Sequence, residues 1–288
     1  MKIPRFWAKG TVEAVGLDGR PAEVSCWRWS DLSEDDARES ALVAARRVLA
    51  AIRAGRKPDR YAYGDQPLRE EVLNTLEDQN GDVVAAVTRN AAGCLVLNAQ
   101  RVMFIDIDFP DVSTGASLLG LLARLFGRGR PSPRAEQLAE AKARIEEFVA
   151  RRPGWGIRLY QTQAGLRGMV THAPLEAESD ESIRILTELG ADPLYVRLCQ
   201  VQKCFRARLT PKPWRCGHYA THARYPMEDP VLIERDRKWR AQYESRHRGY
   251  ATCRWLGQFG SAVVHLEVER IAELHDFATK CHEPLPLA

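Results

Sequence analysis

Residues 102–110, VMFIDIDFP, place two acidic residues inside an otherwise apolar run. Val, Ile and Phe are typical of a buried β-strand, in which successive side chains point to opposite faces. Asp106 and Asp108 should therefore share one face, while Ile105 and Ile107 lie on the other. Two like charges this close repel each other, and burying either one without a partner is costly. The pattern predicts a strand whose acids need a cation.

A divalent cation would satisfy both carboxylates. Mg²⁺ and Mn²⁺ prefer oxygen ligands and are commonly held by one or two carboxylates together with substrate phosphates. We therefore predict Asp106 and Asp108 as ligands of Mg²⁺ or Mn²⁺. Asp111 is a candidate for a third carboxylate, although Pro110 should end the strand before it. The alternative interpretation is that both acids lie exposed at the end of a strand.

Residues 155–172, WGIRLYQTQAGLRGMVTH, contain two β-rich runs that flank Gly165. This arrangement is typical of a β-hairpin. Arg158 and Arg167 are candidates to bind phosphate in a bidentate manner, and His172 is a candidate to donate to a phosphate or to orient water. The alternative is a plain hairpin with an exposed basic edge.

Residues 204–216, CFRARLTPKPWRC, predict a further strand that carries Arg206 and Arg208 on one face. Lys212 and Arg215 follow it. Alternating arginines beside an acidic metal site suit the phosphates of a nucleotide or polynucleotide. The alternative is a solvated strand face.

The chain has seven cysteines and no apolar secretory pattern at its N-terminus, so we expect free thiols. The densest thiol and imidazole cluster matches no tight Cys-x₂-Cys spacing, which argues against structural zinc. Its members are Cys199, Cys204, Cys216, His218 and His222. In residues 265–277, HLEVERIAELHDF, we expect the acids and histidines, among them His275, to pair with neighbouring arginines instead of binding metal.

The composition is that of an ordinary globular protein, with 288 residues, 45% of them hydrophobic and 28% charged. The formal net charge of +4 is mildly basic and compatible with a polyanionic partner. The most apolar window, GASLLGLLARLFG, is short and interrupted by Arg124, so it cannot span a bilayer. We expect a cytoplasmic protein with no membrane partner, and the oligomeric state is left open.

Hydrophobic periodicity predicts a helix that Ser33 caps and Gly55 ends. A second, shorter helix is predicted from Asp65 onward, in DQPLREEVLNTLED. Further strands are predicted over 82–87, 94–98 and 102–107, and further helices over 135–150 and 179–189.

From residue 102 onward the predicted order is strand, helix, strand, strand, helix, strand. This is the ferredoxin-like, split-βαβ pattern. We therefore predict an α+β protein with an RRM-like βαββαβ core over 102–215, which would carry the site. Residues 1–101 would form an N-terminal α/β extension packing on the core, and residues 216–288 a mainly helical C-terminal part.

The order of an Asp-x-Asp strand, a Gly-Arg hairpin leading to a histidine, and an arginine-bearing strand resembles the archaeo-eukaryotic primase (primase-polymerase) superfamily. The resemblance covers about 102–215. It implies an RRM-like core, a metal-binding pair at Asp106 and Asp108, and a nucleotide-contacting histidine at His172. Asp192 is the nearest candidate, in order, for the later acidic residue of that superfamily.

The spacing of the hairpin separates two of these candidates. Gly165 and His172 are seven positions apart, and strands carrying Asp106 and His172 would run antiparallel. Arg167 would then lie beside the acids, with His172 five residues, or roughly 16 Å, further along. Arg167 is therefore the better candidate for a phosphate ligand.

These features predict a metal-dependent nucleotidyltransferase that acts on nucleotides and on a DNA or RNA strand. One alternative is a metal-dependent phosphoesterase or nuclease, because FIDIDFPDVST is superficially similar to the aspartate phosphatases of the haloacid dehalogenase type. Another is a non-catalytic, RRM-like nucleic-acid-binding protein that uses the basic strand and aromatic side chains. A structural or partner-binding role is a fourth possibility.

Overall fold

The computed structural model describes residues 1, 3–15, 20–56, 67–110 and 132–288. Within these ranges the protein is mixed α+β, with three antiparallel sheets and six α-helices. The predicted α+β class is therefore confirmed. Asp111 and the apolar window around Arg124 lie outside the described residues.

A two-stranded sheet and one long helix form the N-terminal part. Strands β1 (Phe6–Val15) and β2 (Pro21–Ser30) pair antiparallel, and helix α1 (Glu34–Arg53) packs on both. Ser33 caps the helix as predicted, because its side chain accepts a hydrogen bond from the backbone N–H of Asp36. The buried face of the helix is built from small alanines, which allow the helix to lie close to the sheet.

The first four-stranded sheet has the strand order β3-β4-β5-β9. Its strands are β3 (Glu71–Glu77), β4 (Val83–Arg89), β5 (Leu95–Ala99) and β9 (Phe205–Arg208). The prediction of a helix in DQPLREEVLNTLED was wrong, because residues 71–77 pair with β4 as an edge strand. Backbone pairing with β4 overrides the helix propensity of the Glu and Leu residues there.

The second four-stranded sheet has the order β10-β7-β8-β6. Its strands are β6 (Phe104–Asp108), β7 (Gly156–Thr162), β8 (Gly165–Val170) and β10 (Cys253–Gly260). The predicted hairpin is confirmed as β7 and β8. Antiparallel pairing sets Asp106 opposite Arg167 and Asp108 opposite Gly165. The two aspartates thus share one face of the sheet, as the alternation predicted.

Five further helices cover the sheets or their edges. They are α2 (Pro133–Ala150), α3 (Asp180–Glu188), α4 (Pro193–Gln202), α5 (Pro230–His247) and α6 (Leu266–Thr279). Ile105 and Ile107 are buried in the same apolar core as Ile145 and Phe148 of α2. The apolar face of β6 therefore points into the core, and this leaves the opposite face for the aspartates.

The sheets cross the predicted segment boundaries. Strand β9, from the predicted 102–215 core, pairs with β5 of the N-terminal segment. Strand β10, from the C-terminal part expected to be mainly helical, pairs with β7. All seven cysteines are free thiols, as predicted. No described helix combines the length and apolarity needed to cross a membrane.

Candidate active site

A cavity of about 680 Å³ opens where β6 meets β9 and the start of α4. Its volume is within the range of sites that hold a small-molecule ligand. Asp106, Asp108 and Asp192 line the cavity together with a set of basic side chains. The basic side chains are Arg69, Arg167, Arg206, Arg208, Lys212 and Arg224. Acids and cations that are distant in sequence therefore meet around one space.

Gly165 lets the hairpin approach the acidic strand. A Cβ at this position would lie 1.8 Å from the carbonyl oxygen of Ile107, so only glycine fits. The N–H of Phe109 donates to the carbonyl oxygen of Ala164 at 3.0 Å, which also holds the hairpin turn against the end of β6. The turn of the hairpin is thereby held beside Asp108.

Burial and neighbouring charges act on Asp106. Burial raises the pKa of its carboxyl group, and Asp108 and Asp192 also raise that pKa, while Arg167 and Arg208 oppose them. The nearest cationic atom in an ion pair is Nε of Arg167, 4.0 Å from Oδ1 of Asp106. Asp108 forms no ion pair with any residue that the structure describes. Neither carboxylate therefore has a hydrogen-bonded cationic partner among the described residues, although Arg167 lies near Asp106.

Helix α4 brings a third carboxylate to the cavity. The backbone N–H of Asp192 donates to the carbonyl oxygen of Asp106 at 3.0 Å, and Oδ1 of Asp192 accepts from the N–H of Tyr195 at 2.9 Å. The Tyr195 hydroxyl donates to the carbonyl oxygen of Phe104 at 2.9 Å. The start of α4 is thus fastened to β6. The three cavity aspartates do not all lie within 4.8 Å of one another.

Arg208 and Lys212 form the basic wall that faces these acids. Neither side chain is ion-paired within the described part of the chain. Burial lowers the pKa of Lys212, and the neighbouring Arg208 and Arg215 lower it further, while Asp108 opposes them. A group of cations that repel one another in a partly buried wall favours the binding of an anion.

The predicted phosphate ligand Arg206 lines the cavity but has another partner. Its Nη2 donates to both carboxylate oxygens of Glu70, at 2.8 and 2.9 Å, and its Nη1 donates to Oδ1 of Asn98. The hydroxyl of Thr88 also donates to Glu70. Arg206 therefore belongs to a buried ion pair that joins β9 to the chain before β3.

Arg158 and His172 are not brought to the acids. Nη2 of Arg158 donates to Oδ2 of Asp276 at 2.8 Å, and the Arg158 guanidinium lies over the ring of Trp255. His172 follows the end of β8 and contacts the ring of Trp155 at a tilted angle, with 4.2 Å between ring centroids. Neither residue lines the cavity. The antiparallel register explains the position of His172, because Arg167 occupies the place opposite Asp106.

The predicted thiol and imidazole cluster does not assemble into a metal centre within the described residues. The one described trio with ligand atoms within 4.8 Å of one another is Asp276, Cys281 and His282. The carboxylate of Asp276 already accepts hydrogen bonds from Tyr160, Arg158 and His275. A carboxylate that is occupied in this way and adjoins an arginine is a poor ligand for a cation.

Sequence reasoning missed Glu70 and Asp276 as structural partners of the predicted arginines. Glu70 falls in the segment for which a helix was predicted, and Asp276 lies 118 positions from Arg158. His275 contacts Arg167, in accordance with the expectation that the histidines of this segment pair with arginines. Helix α4 gave no strong periodic signal, so the anchoring of Asp192 to β6 was also missed.

Comparison of the chain with protein-family models, with curated proteins and with solved structures found no match. The geometry of the cavity is therefore the basis of the functional argument.

Proposed function

We propose that the protein is a metal-dependent nucleotidyltransferase of primase-polymerase type, with its active site in the cavity around Asp106. The observation that carries the proposal is the shared cavity of the Asp106–Asp108 pair and the unpaired Arg208 and Lys212. Carboxylates beside a basic wall suit a triphosphate with its cation. The substrates would be nucleotides and a DNA or RNA strand.

The proposal includes the finer fold assignment, a ferredoxin-like or RRM-like core that extends from β6 to β9. The chain order β6, α2, β7, β8, α3, β9 supports this assignment, with α4 as an addition. Strands β6, β8 and β7 are neighbours in that order, with β6 at the edge of the sheet, and β9 contacts β6 although it pairs with β5. The resemblance to primase-polymerases assigns the nucleotide contact to His172, which does not line the cavity, and Arg167 is the hairpin residue that does.

Asp106 and Asp108 fit a divalent cation, because they are oxygen donors on one face of a strand, and the contact of Asp106 with Nε of Arg167, at 4.0 Å, is too long for a hydrogen bond. A bound Mg²⁺ or Mn²⁺ would neutralise the two aspartates and help to activate the 3′-hydroxyl of a nucleic-acid strand. Arg208 and Lys212 would bind the polyphosphate across the cavity. Arg167 would contact a phosphate oxygen next to Asp106. The hydroxyl would lose its proton to water, its oxygen would attack the α-phosphorus, and the bond from that phosphorus to the oxygen of the leaving pyrophosphate would break.

The test is primer extension and primer synthesis by the full chain with Mn²⁺ or Mg²⁺, an oligonucleotide template and all four nucleotides. We expect synthesis, and we expect Asp106→Asn and Asp108→Asn to abolish it together with Mn²⁺ binding. Asp35→Asn is the matched control, because Asp35 is an exposed acid of α1 that does not line the cavity. Full synthesis by Asp106→Asn would refute the proposal. Template-independent hydrolysis of p-nitrophenyl phosphate would instead assign the cavity to a phosphoesterase.

A further inference from the structure

A buried chain of polar side chains leads from the cavity to helix α6. Arg167 is 2% exposed and His275 is fully buried. Nη1 of Arg167 lies 3.3 Å from Nε2 of His275, and Nδ1 of His275 lies 2.9 Å from Oδ1 of Asp276. These contacts join the hairpin strand β8 to a helix more than 100 residues further along the chain.

The hydrogen bonds among these polar side chains determine the tautomer of His275. The carboxylate of Asp276 can only accept, so Nδ1 carries the proton and donates to it. Nε2 then has a lone pair, which accepts from Nη1 of Arg167. Nη1 has a second hydrogen, and it donates to the carbonyl oxygen of Arg208 at 2.9 Å. Both hydrogens of Nη1 are therefore directed away from the aspartate pair.

Asp276 is itself held in place from the opposite side. The hydroxyl of Tyr160 donates to its Oδ1 at 2.7 Å, and Nη2 of Arg158 donates to its Oδ2 at 2.8 Å. Ring contacts of His275 with Phe104 and Tyr160 restrict the imidazole. Nε2 of His275, which accepts from Arg167, is therefore held in place by packing and by hydrogen bonds.

The Nε–H of Arg167 takes no part in these contacts. Its Nε is buried and has no hydrogen-bond partner among the described residues, although the side chain lines the cavity. Nε faces Oδ1 of Asp106 at 4.0 Å, which is too far for a hydrogen bond. Buried donors are normally paired, so this atom indicates a ligand atom that would complete it.

An unrestrained arginine beside a carboxylate tends to form a close bidentate pair with it. Such a pair would occupy Asp106 and prevent it from binding a cation. The anchoring of Nη1 on His275 and on the carbonyl oxygen of Arg208 opposes this collapse. We infer that His275 and Asp276 are positioning residues, which hold Arg167 so that its Nε–H donates to a phosphate oxygen beside Asp106. This inference rests on the proposed nucleotide site.

The test is the dissociation constant of Mg²⁺–ATP, measured by titration calorimetry on the full chain. His275→Phe keeps a ring at the site but removes both nitrogens, and we expect it to weaken ATP binding about tenfold. Arg167→Ala should weaken binding at least as much. The double variant should be no weaker than Arg167→Ala alone, because His275 acts through Arg167. A purely structural effect of His275 would instead add to the loss from Arg167→Ala, and that result would overturn the inference.

His275→Gln is the second variant, in case His275→Phe does not fold. Its amide oxygen can still accept from Arg167, so it should recover part of the affinity. His282→Gln is the matched control, because His282 lies 3.7 Å from Asp276 but is exposed and has no contact with Arg167. Full affinity in a folded His275 variant, with weakened binding in Arg167→Ala, would refute the positioning role alone. Unchanged ATP affinity in Arg167→Ala would refute the proposed nucleotide site itself.

Discussion

Arg167 and Asp106 stand directly opposite each other on β8 and β6, with Nε and Oδ1 4.0 Å apart. Burial raises the pKa of the carboxyl group, and the arginine is close enough to oppose that rise, yet the two do not form a tight ion pair. The guanidinium is instead held by His275 and by the carbonyl oxygen of Arg208. An acid and a cation are thus kept side by side at the wall of one cavity, where both can meet a charged ligand.

The close approach of the hairpin to β6 should depend on Gly165. A Cβ there would overlap the carbonyl oxygen of Ile107, so Gly165→Ala must push the two strands apart. We expect a loss of roughly 2–3 kcal/mol in unfolding free energy, measured by urea denaturation. Gly249→Ala is the control, because its Cβ would meet no heavy atom within 4 Å. Equal effects of the two substitutions would contradict this account.

The buried pair of Glu70 and Arg206 should contribute to stability and not to ligand binding. Glu70 is 5% exposed and Arg206 is 8% exposed, so Glu70→Gln removes the charge of the carboxylate that binds this buried arginine through both of its oxygens. We expect a loss of about 3 kcal/mol in unfolding free energy. Glu140→Gln breaks an exposed pair with Arg144 and should cost less than about 0.5 kcal/mol. A similar small loss for Glu70→Gln would show that the pair is dispensable.

His275 should make stability depend on pH. Burial lowers its pKa to about 4, in an environment that also contains Arg167, Asp276, Arg158 and Tyr160. The unfolded chain, with a histidine pKa near ~6.5, therefore binds the proton more tightly than the folded protein. This part of the stability is complete above about pH 6.5 and is lost as pH falls toward about 4. The difference corresponds to roughly 3 kcal/mol of unfolding free energy.

Urea denaturation between pH 4 and pH 7 measures this dependence. His275→Gln cannot take up the proton, so its unfolding free energy should fall less across that range. The exposed His282→Gln should retain the slope of the original protein. A His275→Gln slope equal to that of the original protein would show that other groups cause the loss.

The arginines predicted from sequence should separate into two groups. Arg208→Ala removes an unpaired cation from the cavity wall and should weaken Mg²⁺–ATP binding about tenfold or more, with a smaller salt dependence. Arg158→Ala removes one hydrogen bond to Asp276 and should weaken binding less than Arg208→Ala does, and His172→Ala should change the affinity by less than about twofold, since neither side chain lines the cavity. Calorimetric titration at two salt concentrations tests both expectations. A loss in His172→Ala as large as that in Arg208→Ala would place the nucleotide elsewhere.

Local patterns were sufficient for several elements. The alternation in residues 102–110 predicted the strand and the shared face of Asp106 and Asp108, because side chains in a strand alternate with a period of two. Cap residues and helical spacing predicted α1 in the same way, and Gly165 marked the hairpin. The antiparallel register also indicated Arg167 and not His172 as the neighbour of the acids. These conclusions depend on backbone geometry over a few residues, which the sequence records directly.

Other features were decided only in the tertiary structure. The segment over 71–77 has the propensity of a helix but becomes a strand, because β4 offers an edge with unpaired backbone groups. Arg206 and Arg208 share one face of β9 and both line the cavity. Arg206 is bound by Glu70, whereas Arg208 forms no ion pair with a described residue. Likewise, Arg158 and Arg167 meet Asp276 and His275 only because α6 packs on the face of the sheet that carries these arginines. A partner more than 100 residues away is chosen by packing and burial, and no local period in the sequence encodes that choice.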